Sequence, residues 1–322
     1  MNNLYIIGNG FDLAHGVNTC YWNFRTFLER EHWEFLLRFE ALYGIQPLDD
    51  TEYGYTKEAQ KRWNARVNKN LWSEFERFMA QPDIQSMLDL SSSVVGDLDL
   101  ESGNYGIRDT MDAYWRNEFG FIRELQQYVK EWIEQVDLGE VTPRKQALID
   151  NDSDYFLNFN YTRVLEDIYH ADQVLHIHGT VGADANYDPI MGHCNSQEIE
   201  TRRQLSRDSD ENYNEGEASI QEAVANYLSE IYKDTEYYMG INRYFFDRLN
   251  VTKEVIIIGW SAGDVDIPYL QRIKNSVSKD AHWTVYYYDQ KAYTDLQKAF
   301  LECGILNNYK VDFQQSNSFW DT

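Results

Sequence analysis

The chain predicts an α/β fold: a doubly wound parallel sheet with a large helical insertion after the first strand. Three observations predict it. Short apolar runs of strand type alternate with segments of helical period, the signature of parallel strands joined by crossover helices. From about residue 21 to 137, apolar and aromatic residues recur at three- and four-residue spacing with no strand-like run among them. Finally, four strand ends carry small, amide, imidazole or carboxylate groups, in "GNGFD", "FNYT", "HIHGT" and "WSAGDVD". Such chemistry suits the carboxyl rim of a parallel sheet, where ligands bind.

The elements follow in order. "NLYIIG" is the first strand, and it ends on Gly8 and Gly10. The helical stretch contains "YWNFRTFLEREHWEFLLRFEALYG", "KEAQKRWNARVNKNLWSEFERFMA" and "YGIRDTMDAYWRNEFGFIRELQQYVKEWIEQV", whose many Trp and Tyr residues supply its own core. Strands resume with "SDYFLNFN" and "DQVLHIHG", separated by the helix "TRVLEDIY". A polar loop is expected after Gly192, then "SIQEAVANYLSEIYKDTEYYMGINRYFFDRLN" as helix against the sheet. "KEVIIIGW", "DVDIPYLQRIKNSV", "HWTVYYYD", "KAYTDLQKAFLECG" and a last strand "YKVDF" complete the alternation. The expected division is an α/β domain over 1–20 and 140–322 and a helical subdomain over 21–139.

Composition bounds the function. The 322 residues, 43% hydrophobic and 15% aromatic, can bury a large core. A net charge of -24 argues against a general nucleic-acid binder, whose affinity comes from Lys and Arg neutralising phosphates. Anionic small molecules would have to be met by backbone N–H groups and helix ends. Three scattered cysteines, Cys20, Cys194 and Cys303, build neither a disulfide framework nor a four-cysteine zinc site, and no metal-ligand cluster stands out, so no metal is expected. No apolar run reaches the length of a membrane span, and "MNNLYIIGNG" lacks the basic and apolar segments of a secretory leader, so no membrane association and a cytoplasmic location are expected.

At the residue level several readings stay open. The bare G-x-G of Gly8 and Gly10 suits either a phosphate-cradling turn or an ordinary strand-to-loop connection. Strand alternation puts Asn158 with Asn160, and His176 with His178, on shared faces, so periodicity alone does not choose within either pair. His178 lies nearer the strand exit, next to Gly179. Asp12 and His15 either reach a ligand or buttress the first helix. Asp264 and Asp266 either bind hydroxyls or cap the helix "IPYLQRIKNSV", and Thr162 is expected to cap "RVLEDIY". His193, in "IMGHC", is a further candidate.

These segments carry a resemblance. "IIGNGFDLAHGVNTCY" resembles the opening of the bacterial abortive-infection proteins of the AbiH family, and its spacing Gly8, Gly10, Gly16-Val17-Asn18 is similar to that of the sirtuin-like NAD-binding folds. "FLNFNYTRVLEDIY" resembles the family's Asn-containing loop, "LHIHG" its histidine motif, and "VIIIGWSAGDVDIPYL" its late nucleotide-binding strand and loop. The resemblance covers roughly residues 1 to 25, 150 to 193 and 250 to 315, and implies a Rossmann-like, sirtuin-like fold. It implies Asn160 and His178 as the chemical pair, the asparagine holding the nicotinamide ribose and the histidine acting as general base. It also implies a phosphate loop of Gly8, Asn9, Gly10 and Phe11, with Asp12 and His15 beside it. Gly259, Trp260 and Ser261 would contact the adenosine ribose and phosphate, and Asp264 and Asp266 its hydroxyls. Thr162 stands where the family carries an acid. The expected activity is that of an anti-phage NAD glycohydrolase (NAD nucleosidase) that cleaves NAD to ADP-ribose and nicotinamide, NAD or a related dinucleotide being substrate or ligand rather than a true cofactor. The alternative is a non-hydrolytic nucleotide-binding sensor or interaction module. A phage-derived trigger and a homo-oligomer remain open as partners. Protein deacylation is disfavoured, since the four cysteines of its structural zinc module cannot be found among the three scattered ones here.

Overall fold

The computed structural model describes residues 3–48, 56–90, 107–144, 154–183 and 185–321. Six strands form one all-parallel sheet: β1 (Asn3–Ile7), β2 (Tyr155–Asn158), β3 (Val174–His176), β4 (Glu254–Ile258), β5 (His282–Tyr287) and β6 (Lys310–Gln315). Their order across the sheet is β3-β2-β1-β4-β5-β6. The first strand is therefore central, with Ile7 level with Asn158 on one side and Ile258 on the other. That pairing is the condition on which the shared-rim argument rests, because it brings the exits of β1, β2 and β4 side by side.

The central strands read as near-continuous apolar runs because helices cover both faces. On one face Leu4, Ile6, Leu157, Val255 and Ile257 pack against Tyr269, Leu270 and Ile273 of the helix Ile267–Ser276 and Leu296 and Phe300 of the helix Gln290–Glu302. On the other, Ile7, Phe156 and Ile258 meet Phe11, Val164, Leu165, Tyr169 and Phe319. The observed strands are shorter than the apolar runs suggested. β2 stops at Asn158 and β3 at His176, so the alternation expected to carry on to residues 160 and 178 is broken at the rim.

Chain contacts divide the molecule into two compact units. The first, residues 1–20, 129–190 and 234–322, holds the sheet. The second, residues 21–128 and 191–233, is helical among its described residues. Its expected first helix is two, Tyr21–Glu31 and Trp33–Ala41, broken at His32, whose φ of −137° and ψ of 47° lie outside the helical region. An aromatic core of Phe24, Phe39, Trp72 and Phe75 forms there, with Trp72 and Phe75 stacked at 4.3 Å. Arg25 grips Glu40 through two bonds of 2.8 and 3.1 Å, and Trp72 Nε1 donates to the same carboxylate at 2.7 Å, so this buried charge pair is well supplied with partners.

Two expectations about residues 192–251 are corrected. The polar stretch after Gly192 is a helix, Ser196–Glu211, capped by Asn195, whose side chain accepts the Glu198 N–H. The following helix, Glu215–Glu230, packs against Ser196–Glu211 and Ile107–Phe119. Within the stretch expected to lie against the sheet, only its later helices do so, Thr235–Ile241 and Arg243–Asp247, which supply Met239 and Phe246.

Candidate functional site

The glycines at the exit of β1 serve a backbone contact. Gly8 N–H donates to Ile258 O at 3.0 Å, Gly10 N–H to Gly259 O at 2.8 Å and Phe11 N–H to Gly8 O at 2.9 Å. A Cβ on Gly8 would lie 2.5 Å from Trp260 Cα, and one on Gly10 2.7 Å from Gly259 Cα. Gly259 itself sits at φ +66°, with its own missing Cβ 2.3 Å from Phe11 N. Gly10 therefore packs directly on the Gly259 backbone, and the Gly10 and Phe11 amides already have backbone acceptors. Asn9 accepts a 2.6 Å bond from Thr19 Oγ1 through its side chain.

Asp12, one position beyond this turn, is buried at the centre of the rim. Asn160 Nδ2 donates to its Oδ1 at 2.8 Å, Thr162 Oγ1 to its Oδ2 at 2.5 Å, and Thr19 Oγ1 to Oδ2 at 3.3 Å. Burial pushes its carboxyl up to about 6, against the pull of those three donors. Asn160 also donates to Gly8 O at 3.1 Å, so both protons of its amide are held, and its backbone N–H is fixed by Asn158 Oδ1 at 3.0 Å. The two asparagines thus differ in role: Asn158 positions Asn160. Thr162 caps no helix. The helix Val164–Tyr169 starts from Arg163 without a side-chain cap, and the Thr162 hydroxyl serves Asp12. An aspartate there would set a second carboxylate against Asp12.

The two histidines diverge because β3 has ended. His176 Nδ1 donates to Asn160 O at 2.8 Å, and its Nε2 lies 2.7 Å from Glu166 Oε1. Both partners are acceptors, so the ring is fixed on both sides. His178 is buried among Phe159, Tyr161 and Tyr269, edge-on to Phe159 at 5.2 Å. Its Nε2 stands 3.2 Å from Asp266 Oδ1, an ion-pair distance without hydrogen-bond alignment, since that oxygen has no hydrogen-bond partner. Asp266 Oδ2 accepts Trp260 Nε1 at 3.1 Å. Asp266 precedes the helix Ile267–Ser276 but makes no side-chain cap bond, so its carboxylate is turned to Trp260 and His178.

Other expected residues stand apart from this cluster. His15 is a buttress: Nδ1 donates to Phe11 O at 2.7 Å, Nε2 accepts from Tyr169 OH at 2.7 Å, and burial lowers its pKa. His193 belongs to the helical unit, where Nε2 donates to Leu228 O at 3.0 Å and Nδ1 accepts Asn195 N–H at 3.1 Å. Ser261 and Asp264 are exposed.

Beside His176, at the carboxyl end of β3, opens a polar cavity of about 410 Å³ lined by Arg163, Glu166, His176, Thr180, Asn186 and Tyr187. Sequence reasoning missed Glu166, Tyr187 and Thr19. Glu166 had one weak signal, an acid inside the short helix "RVLEDIY", ten positions before the histidine it holds.

Residues 4–287 match the family described as Bacteriophage abortive infection AbiH. The chain belongs to the AbiH family. Membership implies a role in bacteriophage abortive infection. No curated protein matches the chain. Among the described residues of this AbiH-family protein, no helix is long and apolar enough to cross a membrane.

Proposed function

We propose that this AbiH-family protein is a defence effector that hydrolyses NAD, or a closely related dinucleotide, to ADP-ribose and nicotinamide. The observation that carries the reading is the convergence of the His178–Asp266 pair and the Asn160–Asp12 pair at the carboxyl ends of neighbouring strands, in an all-parallel sheet of order 3-2-1-4-5-6. That order is the one associated with Rossmann-type dinucleotide folds, whose crevice lies where the order reverses, here between β1 and β4.

In this reading the bond from ribose C1 to the nicotinamide nitrogen breaks, its electron pair leaving with the ring, and a water oxygen bonds to C1. The His178 imidazole takes the water proton, and Asp266 stabilises the imidazolium that results. Asn160 has both amide protons committed, so its Oδ1 is what remains to orient ribose or water.

Purified protein incubated with NAD, with and without a phage-derived trigger, tests this by mass spectrometry of the products. His178→Ala should lower turnover by on the order of a hundred- to ten-thousand-fold while the circular-dichroism spectrum holds. Unchanged turnover in that variant removes His178 from the mechanism. Wild-type protein that binds NAD and never consumes it supports the sensor reading instead.

A further inference from the structure

We propose that Glu166 is a positioning residue: through one proton shared with His176 it holds the main chain of Asn160, and with it the side-chain oxygen that the reaction uses. This rests on the reading of Asn160 as the group that orients ribose or water. Asn160 is fixed from every direction but one. Its N–H donates to Asn158 Oδ1 at 3.0 Å, its amide to Asp12 Oδ1 at 2.8 Å and Gly8 O at 3.1 Å, and its carbonyl accepts from His176 Nδ1 at 2.8 Å. The last of these holds is the one made by a group that can lose a proton.

A carbonyl only accepts, so His176 Nδ1 carries a proton. Nε2 lies 2.7 Å from Glu166 Oε1, and a contact that short has a proton within it, on the imidazolium or on the carboxyl. Glu166 Oε2 is buried and accepts no hydrogen bond, so the carboxyl group depends on this contact. Removing the shared proton leaves one ring proton for two acceptors. The carboxylate takes it, because a charge-assisted bond is the stronger, and the Asn160 carbonyl then faces a lone pair. Other charges surround the pair. Arg163 and Asp167, 3.5 Å apart, line the same cavity with His170 and Asp172. Within the rim, His176 pulls the Asp12 titration down, so an ionised Asp12 in return favours the protonated pair. Tyr187 contributes no charge there, and its hydroxyl donates to His176 O at 3.0 Å.

Long-range ¹H–¹⁵N spectra of the full chain labelled with ¹⁵N-histidine read the ring directly, the His176 signals being identified by their loss in His176→Gln. At neutral pH the wild-type Nδ1 should be protonated; at alkaline pH the ring should pass to the Nε2–H tautomer. Glu166→Gln offers Nε2 an amide donor in place of the shared proton, so it should keep Nδ1–H throughout. Turnover of NAD gives the second readout. Glu166→Ala should lower kcat by at least about tenfold, Glu166→Gln should stay within about threefold of wild type at neutral pH, and the alkaline fall of the wild-type profile should be absent from Glu166→Gln. Circular dichroism reports that each variant is folded. A wild-type ring that keeps Nδ1–H at alkaline pH, a Glu166→Gln ring that loses it, or wild-type kcat in Glu166→Ala overturns the proposal. Wild-type protein that never consumes NAD overturns the NAD reading instead, and the ring spectra still decide whether Glu166 governs the hold on Asn160.

Discussion

Asp12 and His193 are both displaced from their ordinary titration by burial, in opposite senses for stability. Asp12 holds its proton up to about 6 in the folded protein, against 3.8 for the free carboxyl. Its contribution is fully present below 3.8 and is lost as pH rises through 6, so at neutral pH the buried charge costs on the order of 3 kcal/mol. His193, pushed down to about 4 from 6.5, does the reverse: its contribution is present above 6.5 and is lost as pH falls through 4. Asp12→Asn should therefore raise Tm relative to wild type at pH 7–8 and lose that advantage near pH 4, and His193→Gln should flatten the fall between pH 6.5 and 4. Thermal melts across pH check both, and an Asp12→Asn advantage that persists at pH 4 refutes the linkage. Little of this was legible in the sequence. "GNGFD" shows an aspartate at a strand exit, but that it is buried against Thr19, Asn160 and Thr162 depends on partners up to 150 positions away.

Gly8, Gly10 and Gly259 act together, as the point where the β1 exit touches the β4 exit. Gly259→Ala would put a methyl 2.3 Å from Phe11 N at a positive φ, so it should cost at least about 2–3 kcal/mol of stability whether or not a ligand is bound. Denaturant unfolding measures it, and an unchanged midpoint would contradict the packing role. The glycines were visible in the sequence, and their reason was not, because a G-x-G that cradles phosphate and one that admits another backbone need the same missing side chain. Strand and helix types were legible from period alone: "KEVIIIGW" and "HWTVYYYD" lie as parallel neighbours in the sheet. The polar Ser196–Glu211 was not, since a helix with so few apolar positions has weak periodicity, and its Asn195 cap was the available signal.

At the level of the chain, β2–β6 and the helices over them were readable as an alternation, but the assignment of 191–233 to the same compact unit as 21–128 was not. An apolar stripe states that a helix is covered and not by what. The net charge of -24 predicts self-repulsion in the compact state. Raising salt from low to physiological ionic strength should raise Tm through screening, and a Tm that falls would show that local ion pairs such as Arg123–Glu230 outweigh the global term.

The central position of β1 has a consequence for synthesis. Residues 3–7 leave the ribosome before either neighbour and pair with them only when 155–158 and then 254–258 have followed. Such long-range pairing forms late. Until then the nascent chain lacks Asn160, His178 and Asp266 in turn, so a translation product interrupted before residue 266 cannot assemble the rim.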